Sequence, residues 1–266
     1  MSGAAPGPPL RRVLLHYHIF KNAGTTIEDI LANSFFDRYA RFDKPGYDAL
    51  VSPAEIVRFL EQNPLLQAMS SHQIRYPKPD ARGILFFDVC FLRDPLDRIR
   101  STYDYFRIKP AEGEELSGLA NSLPLGEYLK LMVDEHPWRI NDAQVNILAG
   151  RGVDDDPADR RDLQRAVSVM LETSFLGVVD LFEESLQAGA HFLRPVFPRF
   201  NFAQPPANVS SGEGSTLEGR IAQMRAACSE AVWKEVLRLN ELDFELVAHT
   251  RAEVLRRYAA AKESRA

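Results

Sequence analysis

The sequence predicts an open, parallel α/β sheet with helices on both faces and further helices at the C-terminus. Three observations lead there. The apolar runs Val13 to Ile19, Gly83 to Leu92 and Ser174 to Val179 are each followed by a short loop and a helix-like stretch. The run holding Ile84, Leu85, Phe86, Phe87, Val89, Cys90 and Phe91 is apolar almost without a break, as strands covered on both faces are. From Ser215 onward the pattern is helical to the end, broken around Asn240-Glu241.

In chain order, residues 1–10 form a flexible lead-in rich in Gly, Ala and Pro, 11–258 one domain and 259–266 a frayed tail. Val13 to Ile19 is a buried strand. The helix after it spans Thr26 to Ser34, with Ile27, Ile30 and Leu31 near helical spacing. Phe35 to Val51 is mixed and turn-rich around Pro45-Gly46. Ser52-Pro53 with Glu55 starts a helix that ends near Asn63-Pro64. Leu65 to Met69 is a strand and Ser70 to Arg75 its C-terminal loop. Asp88 breaks the long apolar run, which predicts a strand edge or a polar partner. Arg93-Asp94-Pro95 opens a helix over Leu96 to Ile108, and Gly113 to Asn121 is a flexible surface segment. Helices follow over 125–134, 142–149 and 159–172. Asp180 to Gln187 is the helix after the last strand. His191 to Asn201 is ambiguous, cut by Pro195 and Pro198, and Pro205 to Gly214 is a loop.

A chain of 266 residues with 45% hydrophobic residues supports one large α/β core, or such a core with a helical addition. Net charge of -5, with no extended basic or aromatic tract, disfavours nucleic acid as a partner. Cys90 and Cys228 fit neither zinc spacing nor a disulfide scaffold, and Cys90 reads as a buried thiol. Val13 to Phe20 is too short, and too broken by histidines, for a transmembrane span or a signal peptide. A cytoplasmic protein is expected; the oligomeric state is left open.

Ligands of such sheets bind beyond the carboxyl ends of the strands, so the loops after Ile19, Met69, Leu92 and Val179 converge on one site. The first loop is Lys21-Asn22-Ala23-Gly24-Thr25-Thr26. Its glycine allows close backbone approach, and its threonines open a helix whose unpaired N–H groups favour an anion. It departs from Walker A, because the lysine precedes the glycine. A plain tight turn with a surface lysine is the alternative. At the second loop, Arg93 leaves a strand end with a guanidinium suited to phosphate, and Ser101 lies about two helical turns further on. His72, in the polar loop after Met69, can accept a proton near neutral pH. Glu28 and Asp29 are taken as helix surface, Arg98 as solvated, and Asp94 as a residue that could orient Arg93.

Tyr17-His18-Ile19-Phe20-Lys21-Asn22-Ala23-Gly24-Thr25-Thr26 resembles the 5'-phosphosulfate loop of the carbohydrate sulfotransferases, a Golgi-type family that includes heparan sulfate 2-O-sulfotransferase-like enzymes. Phe20 replaces the usual proline and Ala23 the first glycine. Phe91-Leu92-Arg93-Asp94-Pro95-Leu96-Asp97-Arg98-Ile99-Arg100-Ser101-Thr102-Tyr103 is similar to the family's 3'-phosphate signature, and Met69-Ser70-Ser71-His72-Gln73-Ile74 to its Gly-His-Phe segment, with Ser71 in place of the usual glycine. Weaker likenesses are Asn141 to Asn146, Phe175 to Leu186, Asn208-Val209-Ser210 and Leu242 to Glu245, so the resemblance spans about residues 13 to 250. It implies a P-loop-like sheet and a soluble enzyme that moves a sulfuryl group from 3'-phosphoadenosine 5'-phosphosulfate to a carbohydrate or polysaccharide hydroxyl, leaving adenosine 3',5'-bisphosphate. His72 would be the base and Lys21 would stabilise the bridging oxygen. Lys21, Asn22, Ala23, Gly24, Thr25 and Thr26 would surround the 5'-phosphate, and Arg93 and Ser101 would hold the 3'-phosphate. The scheme needs no metal. Some of Arg107, Lys109, Lys130, His136, Trp138 and Arg139 offer an acceptor wall, with ordinary surface and core as the alternative reading. A small-molecule kinase, and a nucleotide- or polysaccharide-binding protein without turnover, are the rival readings.

Overall fold

The structure, a computed structural model, describes residues 10–46, 49–108, 115–152, 155–201 and 216–264. In order these form β1 (Arg11–Tyr17), α1 (Gly24–Phe35), β2 (Tyr39–Arg41), α2 (Pro53–Gln62), β3 (Ala68–Ser71), β4 (Ile84–Leu92), α3 (Pro95–Ile108), α4 (Glu115–Ser122), α5 (Leu125–Glu135), α6 (Ala143–Leu148), α7 (Arg160–Glu172), β5 (Phe175–Val178), α8 (Phe182–Leu193), α9 (Leu217–Ala227), α10 (Glu230–Arg238) and α11 (Glu241–Glu263). The five strands pair in parallel in the order β2-β3-β1-β4-β5. The sheet is therefore the predicted one, with β1 and β4 inside it.

Alternation along β1 assigns the two faces. Val13, Leu15 and Tyr17 pack with α2, α6, α7 and α11. Leu14 points the other way, into a core made with Ile27, Ile30 and Leu31 of α1 and Leu186, Ala190 and Leu193 of α8. A third cluster joins α3, α4, α5, α9 and α10 into a helical layer beside the sheet. Among the described residues, no helix is long and apolar enough to cross a membrane.

Local chemistry explains the element boundaries. Ser52 accepts from the Glu55 N–H and Glu55 accepts from the Ser52 N–H, a complete capping box with Pro53 in the first turn. Asp88 is buried within inner strand β4, so the strand-edge alternative falls. Its partners are the Tyr76 hydroxyl at 2.9 Å, the Lys78 ammonium at 3.1 Å and the Ser174 N–H at 2.8 Å.

Several expectations need correction. The strand placed at Leu65 to Met69 is Ala68–Ser71: Leu65 is exposed, whereas Ser70 and Ser71 are buried because their hydroxyls find partners. The turn-rich segment after α1 hides β2, which three residues of pairing to β3 suffice to make. Gly113 to Asn121 is largely α4, pinned by buried Leu116 and Ala120. The tail does not fray at 259, since α11 runs to Glu263 with Ala261 buried. His191 closes α8, which runs to Leu193. Residues 1–9, the Pro205–Gly214 loop with Asn208-Val209-Ser210, and Lys109 lie outside the described residues.

Two helix starts are tied to each other behind the sheet edge. Asp142 Oδ1 accepts from the Asp243 N–H at 2.9 Å in the first turn of α11. Asp243 Oδ1 accepts from the Val145 N–H at 2.8 Å and the Gln144 N–H at 3.1 Å, opening α6. Each carboxylate thus caps the other's helix. Burial, and then the Asp243 charge, push the Asp142 carboxyl from its ordinary 3.8 up to about 7. A raised folded-state value means that stability from this group is full below the ordinary value and lost as pH rises through about 7. Asp142→Asn keeps the accepting oxygen, removes the titration and suits the left-handed backbone there (φ 41). The variant should gain stability over the native protein as pH is raised from about 5 to about 8. Urea titrations across that range check it, and a pH-independent difference would contradict it.

Candidate active site

Four neighbouring strands deliver the predicted groups to one carboxyl edge. Asp43 follows β2, His72 follows β3, the loop from His18 to Ala23 follows β1, and Arg93 follows β4.

The first loop turns through left-handed backbone at Lys21 (φ 66) and Ala23 (φ 60). Ala23 therefore occupies the conformation that glycine prefers, at a cost of about 1–2 kcal/mol for an L side chain. This turn starts α1 at Gly24 with neither a side-chain cap nor an acidic residue in its first turn. No side-chain cap or first-turn carboxylate therefore competes with an anion at this helix start, where the dipole favours negative charge. Gly24 is required for a second reason: a Cβ there would lie 1.8 Å from His18 Nε2. Thr26 is buried and Thr25 exposed. Asn22 is a strut, its buried amide donating to the Phe91 carbonyl at 2.9 Å and to Gln144 Oε1 at 2.8 Å. The Lys21 ammonium rests over the Tyr105 ring, 4.4 Å from its centroid.

Arg93 joins this loop directly. Its Nη1 donates to the Lys21 carbonyl at 2.9 Å and its Nε to Asp97 Oδ2 at 2.7 Å. Arg220 of α9 reaches the same Asp97 carboxylate at 2.6 Å. Burial raises the Asp97 carboxyl, but Arg220 and Arg93 outweigh it and hold the group below its ordinary value. Asp94 does not orient Arg93; it caps α3, accepting from the Leu96 and Asp97 N–H groups. Ser101 shares the Asp97 face of α3, four residues on. Its Oγ is buried and has no hydrogen-bond partner among the described residues. A buried hydroxyl left this way is costly unless a ligand completes it. Gln144 braces both loops. Its Oε1 accepts from the Arg93 N–H at 2.9 Å as well as from Asn22, and its Nε2 donates to the Arg93 carbonyl at 2.9 Å.

His72 sits on the other flank. Its Nδ1 is 3.0 Å from Asp43 Oδ2, and its N–H donates to Asp43 Oδ1 at 2.9 Å. The imidazole face stacks on His18 at 3.8 Å between centroids. His18 Nδ1 in turn meets Glu28 Oε1 at 3.0 Å, and the other Glu28 oxygen pairs with Arg41 at 2.6 Å. Glu28 is thus buried rather than on the helix surface, because α1 turns that side toward the sheet. His16 pairs with Ser70 at 3.0 Å. Burial drives His16 well below the ordinary histidine value, and burial also lowers His18 against the opposing pull of Glu28. Ligating atoms of His16, His18 and Glu28 come within 4.8 Å of one another. Each of these groups already has a hydrogen-bonding partner, so the cluster is closed as a polar network.

A cleft of about 970 Å³ opens beside His72 and His18. Arg98, Trp138, Arg139 and Arg151 line it, together with Asp142 and Asp155. Arg98 is therefore buried in a wall rather than solvated. Of the expected acceptor wall, Trp138 and Arg139 are present, and His136 lies edge-on to Trp138. Arg107 bonds the Tyr103 hydroxyl and Lys130 pairs with Asp134, both away from the cleft. Lys21, Arg93 and Ser101 do not border the cleft; the chain reaches it through His18, Phe20 and Arg98.

No protein-family model matches the chain. A protein of Archaeoglobus fulgidus, described as uncharacterised, is 24% identical to it over 239 residues, covering 89% of this chain and 94% of the other. The similarity therefore runs through nearly the whole of both chains.

Sequence reasoning missed Asp43, Gln144 and Arg220. Gln144 lay inside a segment already singled out, Asn141 to Asn146, without a role for its amide. Asp43 was concealed in a turn-rich stretch, and Arg220 in an unremarkable helix. The backbone of the first loop yields a direct test. Ala23→Gly relieves a left-handed alanine and should raise stability by roughly 1 kcal/mol in urea unfolding. No gain, or a loss, would mean that the loop does not hold this conformation in solution.

Proposed function

We propose that the protein transfers a sulfuryl group from 3'-phosphoadenosine 5'-phosphosulfate to a hydroxyl of a carbohydrate. One observation carries the reading. Arg93 is bonded to the backbone of the loop Lys21 to Thr26 and to Asp97 of α3, the helix that also carries a buried Ser101 hydroxyl lacking a partner among the described residues. Two phosphate-suited elements from separate strands thus adjoin, as a nucleotide with a 5'- and a 3'-phosphate requires.

The N–H groups opening α1 and the hydroxyls of Thr25 and Thr26 hold the 5'-phosphate. Arg93 and Ser101 hold the 3'-phosphate. His72 takes the proton of the acceptor hydroxyl, whose oxygen bonds to sulfur as the bond from sulfur to the bridging phosphate oxygen breaks. Lys21 leaves the Tyr105 ring to stabilise charge on that oxygen. The cleft with Trp138 and Arg139 takes the sugar. A cytoplasmic setting, with Cys90 and Cys228 both free thiols, belongs to the proposal.

Phosphoryl transfer fits less well. A kinase needs a strand-end carboxylate for magnesium, and Asp88, its candidate, is locked by Tyr76, Lys78 and Ser174. A protein that only binds would not need a base at the cleft.

Calorimetry with adenosine 3',5'-bisphosphate and adenosine 5'-phosphate tests the donor. Ser101→Ala should weaken the bisphosphate by roughly ten- to a hundredfold, the worth of a hydrogen bond to a charged group, and leave the monophosphate nearly unchanged. Equal losses would count against a 3'-phosphate role. His72→Ala should bind the bisphosphate normally and lose about 10²–10⁴-fold in sulfate transfer. Near-native turnover in that variant would remove His72 as the base.

A further inference from the structure

We propose that Asp43 is the positioning residue of the His72 base, fixing the imidazole as its Nδ1–H tautomer so that Nε2 carries the lone pair that meets the acceptor. This rests on the sulfuryl-transfer reading and adds to it a residue that neither the motifs nor the comparisons assign.

The geometry is specific on each side of the ring. Asp43 Oδ2 lies 3.0 Å from Nδ1, while Oδ1 takes the His72 N–H at 2.9 Å and the Ser71 hydroxyl at 2.8 Å. One carboxylate therefore grips both the ring and the backbone of the same residue. A carboxylate without a proton can only accept, so the Nδ1 facing it must carry hydrogen. Asp43 stays ionised: burial pushes its carboxyl up, but the His72 and Ser71 hydrogen bonds more than reverse this and leave it at about 2. Nε2 has no partner among the described residues, and His72 and Asp43 both line the cleft.

The groups around the ring support the same assignment. Burial lowers His18, packed against the imidazole face, from its ordinary value, which disfavours a second cation beside an imidazolium at His72. Glu28 and Arg41 hold His18 from behind as an ion pair. Arg75 donates to the His72 carbonyl at 3.1 Å, and Lys44, next to Asp43, is paired with Glu55. When the acceptor proton reaches Nε2, the electron pair of its O–H bond forms the new oxygen–sulfur bond. The pair of the broken sulfur–oxygen bond leaves on the 5'-phosphate. The ring then carries one positive charge, set against ionised Asp43, until the proton returns to solvent.

Asp43→Asn is nearly isosteric and keeps an oxygen for Ser71 and the His72 N–H, but turns an N–H donor toward Nδ1. Histidine-labelled ¹⁵N spectra of the full chain should show the neutral His72 ring as the Nδ1–H tautomer, and as Nε2–H in Asp43→Asn. Sulfate transfer from labelled donor to a desulfated uronic-acid polysaccharide should fall about 10²-fold or more in that variant. Affinity for adenosine 3',5'-bisphosphate should stay unchanged, and Asp43→Glu should recover part of the rate. An Nε2–H tautomer in the native protein overturns the proposal. So does a tautomer switch without loss of turnover, or a loss of turnover matched by a loss of bisphosphate affinity. Failure of the parent reading looks different: the tautomer switch would occur in a protein that does not distinguish the bisphosphate from the monophosphate.

Discussion

The site depends on one buried amide. Gln144 is a single side chain that accepts from Asn22 on the loop after β1 and both donates to and accepts from the backbone of Arg93 on the loop after β4. An amide, which has both a donor and an acceptor, can do this where a carboxylate cannot. Gln144 is completely buried, so losing any of these bonds would leave an unpaired polar group away from water. The distance between the loops after β1 and β4 is therefore set by α6, an element outside the sheet. The Arg93 contact with the Lys21 carbonyl closes the same link from the other direction.

The sheet contributes a second constraint, its two-residue period. His16 and His18 share a face of the chain leaving β1, and both look toward α1 rather than toward the apolar core holding Val13, Leu15 and Tyr17. Polar groups placed there had to be satisfied, which accounts for buried Glu28 and for Ser70 and Ser71 at the end of β3. The stack then continues upward to His72, the first ring of the series with substantial exposure. A buried polar column so becomes the floor of a solvent-accessible imidazole.

Long elements with one clear chemistry were legible in the sequence. The apolar run of β4, the Ser52-Pro53-Glu55 helix start and the helices from α5 to α7 lie where pattern and caps place them. Short or polar elements were not legible, because their stability comes from partners distant in the chain. Tyr39–Arg41 is too brief to show a period, and Ser70-Ser71 looks like loop until His16, Tyr39 and Asp43 are brought beside it. At the site, Lys21, Gly24, Arg93 and Ser101 stand out because local spacing carries their chemistry. Asp43 and Arg220 are visible only after folding, 29 and 123 residues from the groups they touch.

The tie between Asp142 and Asp243 spans 101 residues, so the start of α6 is finished by a helix near the end of the chain. Synthesis runs from the N-terminus, and β1 through β4 leave the ribosome long before α11 exists. Until then Gln144 and Val145 lack the Asp243 cap, and the amide that spaces the loops after β1 and β4 has no firm seat. The spacing of the loops after β1 and β4 is consequently a late product of biosynthesis: a nascent chain can carry an assembled sheet and still lack the brace between two of its carboxyl-end loops. A truncation that removes α11 would loosen the seat of Gln144 between Asn22 and Arg93, residues made far earlier in synthesis.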